Sequence, residues 1–210
     1  MKPLGLLISF GLIASTGRIV NFDTAPLGKM PPGWTVAMTN GGGAAPKWQI
    51  LKDTSAPTQP YVLAQVSNEP GGNRFPLAIF DALTVCDSDI SVRVKPVAGR
   101  EDQAGGLVFR YRDNNNYYLA RANALDGSVA IFKVQDGQRT ALSLGVHHDI
   151  PLNAWSILKV SVRGNRFQVY VNHRRILQAF DDTFTKSGKV GLWTVGDSVT
   201  YFDDFRVYPK

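Results

Sequence analysis

Arg110, Tyr111 and Arg112 close one run of alternating residues, and Tyr117, Tyr118 and Arg121 lie in the next, across the turn Asp113–Asn115. A guanidinium is a planar donor that can bond two neighbouring hydroxyls, and a tyrosine offers a flat apolar ring with a polar tip. Together they suit a ligand that has both hydroxyls and C–H faces, which is a sugar. Alternation puts Val108 and Arg110 on one side of their strand and Leu107, Phe109 and Tyr111 on the other. Arg110 then stands on the polar face, with Tyr117 and Arg121, or Tyr118, beside it. Trp48 and Trp193 are further stacking platforms. Trp34 and Trp155 read as structural plugs, and Phe109, Phe132 and Phe205 as core.

Hydrolytic chemistry is less well supplied. Of the 17 acidic residues only Glu69 and Glu101 are glutamates, so any carboxylate pair must draw on aspartates. Glycosidases hold two carboxyls about 5–5.5 Å apart for retention, or about 6.5–9.5 Å for inversion. Glu101-Asp102 is an acidic pair in an exposed turn, and neighbouring side chains on a chain do not converge, which leaves Asp102 a weak catalytic candidate. Asp181-Asp182 and Asp203-Asp204 lie at or near strand ends. His147-His148-Asp149 would aim its imidazoles to opposite faces of a strand, which no single metal ion could share. Cys86 is the sole cysteine and reads as a small buried hydrophobe. No G-x-S-x-G elbow, P-loop or G-x-G-x-x-G occurs.

These residues need elements to hold them, and the dominant period is two. Ile90, Val92 and Val94 alternate with Ser91, Arg93 and Lys95; Leu158, Val160 and Val162 with Lys159, Ser161 and Arg163; Phe167, Val169 and Val171 with Gln168, Tyr170 and Asn172. Each is a strand with one buried and one polar face, the pattern of antiparallel sheets. Asp126-Gly127, Asp136-Gly137, Gly164-Asn165 and Asn172-His173 are hairpin signals. About a dozen strands are too many for one flat sheet and predict two packed ones. The fold expected is an all-β antiparallel jelly-roll sandwich over residues 17–210 as a single domain.

Residues 1–16 read differently. Lys2 precedes an apolar stretch, Pro3–Ala14, too short for the ~20 residues of a membrane helix, followed by small residues. That is the pattern of a signal peptide and predicts a secreted or periplasmic protein without a membrane span. The 44% apolar content excludes disorder. The +6 charge is spread along the chain with no nucleic-acid module signature, which argues against nucleic acid and leaves an anionic polysaccharide as a conceivable partner.

The segments Phe22-Asp23 with Gly28 and Pro32-Gly33-Trp34, then 105–121, 155–172 and 188–207, resemble in order and content the concanavalin A-like lectin/glucanase superfamily. The nearest branches are the laminin-G-like jelly rolls and the 3-keto-disaccharide hydrolase domains, relatives of family 16 glycoside hydrolases. The resemblance implies a curved two-sheet sandwich with sugar on its concave face. It also implies a structural calcium, for which Asp23 and Asp203 are candidate ligands; no other cofactor is expected. No E-x-D-x-x-E strand of family 16 is present, and Tyr118 and Ala120 stand where the hydrolase branch carries Glu and Gln. The expectation is therefore an exported carbohydrate-binding, lectin-like sandwich. The alternatives are a glycan-cleaving hydrolase and a structural or protein-interaction jelly roll.

Overall fold

A computed structural model describes residues 17–210. The expected signal segment lies outside the described residues. Among them there is no helix, and none therefore long and apolar enough to cross a membrane.

Sixteen strands form two antiparallel sheets. The first sheet runs β14 (Arg174–Phe180), β13 (Arg166–Val171), β12 (Ser156–Arg163), β6 (Ser88–Ala98), β16 (Val199–Pro209), β4 (Tyr61–Gln65) and β3 (Trp48–Lys52), with β1 (Arg18–Val20) on the far half of β16. The second runs β10 (Gln138–Ala141), β9 (Ser128–Gln135), β8 (Asn116–Asn123), β7 (Ala104–Asp113), β15 (Gly188–Trp193), β5 (Phe75–Val85) and β2 (Trp34–Thr39), with β11 (Val146–His147) on β9. The chain crosses between sheets repeatedly, so sequence neighbours such as β6 and β7 lie in different layers. This is the expected jelly-roll sandwich.

The predicted turns do their work through positive φ. Asp136 and Gly137 (φ 50° and 77°) join β9 to β10, and Asn172 and His173 (φ 47° and 70°) join β13 to β14. Both residues of each turn are left-handed, which matches the right-handed strand twist.

Alternating residues of both sheets interdigitate in one core. Ile90, Val92 and Val94 of β6 meet Leu158, Val160 and Val162 of β12 beneath Leu107, Phe109 and Leu192 of the second sheet. Trp34 plugs one end, 5.1 Å from both Phe80 and Phe205.

A second apolar cluster lies on the opposite, outer side of the second sheet. It comprises Phe75, Leu77 and Ile79 of β5, Val108 of β7, Tyr117 and Leu119 of β8, Val134 of β9, and Trp193 with Val195. An antiparallel sheet with only one covered face would show polar residues here. This sheet is apolar on both sides, which marks its outer face as a surface with a purpose beyond folding.

Candidate functional site

The outer face of the second sheet is floored by rings and roofed by guanidinium groups. Phe75 and Trp193 lie 5.5 Å apart, and Tyr117 sits 6.1 Å from Tyr111. Tyr117 is fixed by a 2.8 Å hydrogen bond between its hydroxyl and Thr39 Oγ1. One position that faces this layer is glycine: a Cβ on Gly106 would stand 2.6 Å from Leu119 Cδ1 and 3.4 Å from the Trp193 ring. The missing side chain on Gly106, its partner in register, leaves room for the Trp193 ring.

Arg139, on the short edge strand β10, reaches back over this floor. Its guanidinium carbon is 5.0 Å from the centroids of Phe75 and Phe132 and 5.9 Å from Trp193. Arg121 of β8 lies 5.4 Å over Phe132 from the other side. Arg121 is anchored, its Nη2 donating to Ser128 Oγ at 2.5 Å and to Asp126 at 3.2 Å. Arg139 has no ion pair among the described residues, and its buried Nη1 meets no protein acceptor; nor do Arg121 Nε and Trp193 Nε1. Burial, and then the Arg121 charge beside it, pull the Arg139 guanidinium below its ordinary value. Burial and the Asp113 and Asp81 charges push the Tyr111 hydroxyl up to about 12.

Asp102 completes the rim. The Asp197 carboxylate accepts the backbone N–H groups of Arg100, Glu101 and Asp102 at 2.6–3.2 Å, which folds their turn inward. Gly99 is required there, since a Cβ would fall 1.7 Å from Asp102 O. Asp102 Oδ1 accepts from Asn123 Nδ2 at 3.0 Å. The carboxyl is half-buried rather than exposed as the sequence suggested. Desolvation raises it above the usual carboxylate range, against the pull of Arg121 and Arg139.

A carboxyl whose pKa is higher folded than unfolded holds its proton more tightly in the folded state. Its effect favours folding below the unfolded pKa, and that benefit is lost as pH rises through the folded value. Asp102→Asn should therefore gain on the wild type in denaturation midpoint as pH rises above about 4. A difference that stays constant with pH would contradict this assignment.

The residues proposed from sequence are dispersed by the fold. Arg121 is on the expected face and at its surface. Tyr117 and Trp193 share that face but lie beneath the roof with no exposure. Tyr118 points the other way, into the inter-sheet core, where its hydroxyl donates to Asp181 Oδ1 at 2.5 Å and accepts Phe184 N–H at 2.9 Å. Trp48 is also core, 5.7 Å from Phe202. Phe132, expected in the core, is half-exposed under the two arginines.

Arg110 is the main correction. Its side chain is 2% exposed and runs between the sheets, donating to Phe184 O at 2.8 Å and Gly164 O at 2.6 Å, with Asp87 at 3.4 Å. The cause is a β-bulge: Phe109 pairs with Tyr118, but the next paired residues are Asp113 and Asn116. Two extra residues on β7 break the alternation, and Arg110 takes φ 48°. A Cβ on Gly188 would lie 2.4 Å from the Arg110 carbonyl carbon, so the partner strand had to be glycine there.

Asp23 and Asp203 do come near one another, since the Asp23 charge helps raise Asp203 after desolvation, the main cause. Asp203 accepts Thr58 N–H and hydroxyl at 2.8 Å each, and Asp204 N–H at 2.6 Å; Asp23 accepts Tyr61 N–H at 3.1 Å. These donors fasten the 53–60 segment across the sheet. Calcium takes about six to eight oxygens, and donors that already bond these two carboxylates compete with it, so the pair fits a strap better than an ion. Among the described residues no three His, Cys, Asp or Glu side chains gather as a metal cluster.

No family model matches the chain. Over 119 residues, 56% of this chain, it is 31% identical to the levanase of Bacillus subtilis, of which the match covers only 16%. Among solved structures, the carbohydrate binding module CBM66 from Bacillus subtilis aligns with a TM-score of 0.63 and 23% identity over 88% of this chain and 98% of its own. Domain 4 of AbnA, an extracellular arabinanase from Geobacillus stearothermophilus, in complex with arabinotriose, aligns at TM-score 0.57 and 16% identity, covering 91% of this chain and 90% of its own. The β-glucanase of Bacillus licheniformis aligns at 0.56 and 14%, covering 93% and 99%. The described chain thus shares the jelly-roll β-sandwich fold of these structures.

Proposed function

We propose that this protein is a carbohydrate-binding module that takes its ligand on the outer face of the second sheet, without hydrolysing it. One observation carries the reading: donors of Arg139 and Arg121 that meet no protein acceptor, grouped over an aromatic floor beside Asp102. Buried polar groups in proteins are almost always bonded, so an unbonded cluster asks for a partner. A sugar meets the arginine and aspartate parts of it. Its hydroxyl oxygens accept from the guanidiniums, and its hydroxyl protons go to Asp102 Oδ2.

The levanase by name acts on levan, and the arabinanase domain holds arabinotriose. The sugars of both polymers are five-membered furanose rings, which makes levan and arabinan the first ligands to try. The reading also places the protein outside the cytoplasm, where such polymers are met. It is supported by the description of the arabinanase as extracellular and by the apolar segment after Lys2.

The test is affinity electrophoresis in gels containing levan, arabinan or a β-glucan, with reducing-sugar release measured on the same mixtures. Retardation by a furanose polymer with no released sugar is the expected result. Released sugar would move Asp102 to a catalytic role, and failure to bind any of the three would remove the reading.

A further inference from the structure

The other outer face, that of the first sheet, carries a group of cations. There Asp89 alone serves three cations: Lys159 Nζ at 3.2 Å, Arg163 Nη2 at 2.9 Å and Lys210 Nζ at 3.9 Å. One carboxylate cannot neutralise three cations, so two charges stay uncompensated.

The neighbouring strands extend the excess. Tyr170, Lys159, Ser91 and Arg206 stand in register across β13, β12, β6 and β16. With strands about 4.8 Å apart, the row is about 14 Å long. Lys159 Nζ lies 5.4 Å over the Tyr170 ring. Beside the row, Arg93, Arg206, Ser91, His173 and Asp204 line a hollow of about 170 Å³. Arg206 is clasped by Asp204 through two 2.8 Å bonds. Arg93 has no ion pair among the described residues, because Asp203, its partner in register, is bonded by Thr58.

We infer that this face docks an acidic polysaccharide, a chain of sugars carrying carboxylates. Charge complementarity selects a polyanion, and the pattern selects which kind. Asp89 and Asp204 stand among the cations and would repel a duplex carrying one charge per about 1.7 Å. A glycan with at most one carboxylate per sugar can place its charges on Arg93, Lys159 and Arg163, and its hydroxyls can donate to the two aspartates. The exposed part of the Tyr170 ring offers a flat surface for a sugar C–H face. The surface is separate from the arginine-roofed site and does not depend on it; the two lie on opposite sides of the sandwich, so one molecule could hold two different polymers.

The experiment is affinity electrophoresis of the full chain in gels containing polygalacturonate, with salt as the variable. Wild type should be retarded at low salt and released at about 0.5 M sodium chloride, where screening falls to a few ångströms. The double variant Arg93→Gln/Lys159→Gln should bind about fivefold more weakly, as expected for two partly exposed charges. Each single variant should fall between, with melting curves close to wild type. Arg139→Ala should be retarded like wild type. No retardation, equal retardation of the double variant, or tighter binding to duplex DNA than to polygalacturonate at the same salt would each overturn the assignment.

Discussion

Arg110→Ala is expected to destabilise the fold by about 3–5 kcal/mol, the cost typical of removing one partner from a buried charged network. The guanidinium bridges the sheets: it donates to Phe184 O in the loop before β15 and to Gly164 O at the turn between β12 and β13. It also stacks 5.6 Å from the Phe167 ring. Alanine would leave the buried Phe184 carbonyl unpaired and a cavity the size of the side chain. The measurement is the urea unfolding midpoint, read with the slope to confirm that unfolding remains two-state. Affinity per folded molecule should stay within about twofold of wild type, because no contact with the arginine-roofed face is lost. A sugar-binding defect with an unmoved midpoint would return Arg110 to the binding face.

Arg139→Ala should do the reverse. Arg139 forms no ion pair among the described residues, and it covers the floor without holding elements together. Its removal should cost sugar affinity by about 10- to 100-fold, the worth of one or two hydrogen bonds from a charged donor. Stability should change by less than about 1 kcal/mol, since a neighbouring like charge is removed along with the stacking contact. Titration calorimetry with the polymer retained in the gel assay gives the first number, and thermal unfolding the second. Arg139→Lys is a useful companion: it keeps the charge and loses the planar fork, so it should recover little of the affinity. Unchanged affinity in Arg139→Ala would remove the roof from the proposed site.

The contrast between these two arginines shows where the sequence is sufficient. Alternation correctly groups Tyr117, Leu119 and Arg121 on one face, because β8 pairs without a break with β9 from Tyr117 to Asn123. The same rule fails for Arg110, and for Tyr118 it leaves open which face is the inner one. For Arg110 a bulge inserts residues, and nothing within 105–113 announces it; the glycine that permits the close approach, Gly188, is far along the chain. For Tyr118 the face is set by period two, but which of the two faces meets the other sheet is decided by packing. Both faces of β8 are apolar enough to be buried, so the pattern gives no preference.

Nothing in the sequence singles out Arg139. It sits in a four-residue edge strand after a hairpin turn, with ordinary polar neighbours. Its importance comes from Phe75 and Trp193, which are distant in sequence and reach it only through sheet order. The acidity of Asp102 is legible in the sequence but its burial is not, since Asp197, whose carboxylate turns its loop inward, lies 95 residues away.

What the sequence determined by itself is the class of structure: alternating hydrophobicity dictates half-buried strands, Asn, Asp and Gly at hairpins dictate the turns, and too many strands for one sheet dictate two. These are local rules, each satisfied within a few residues. What only the tertiary structure decided is the function-bearing surface. A site assembled from β5, β8, β9, β10 and β15 depends on strand order, bulges and the choice of inward face, and those follow from contacts between residues that no local pattern links.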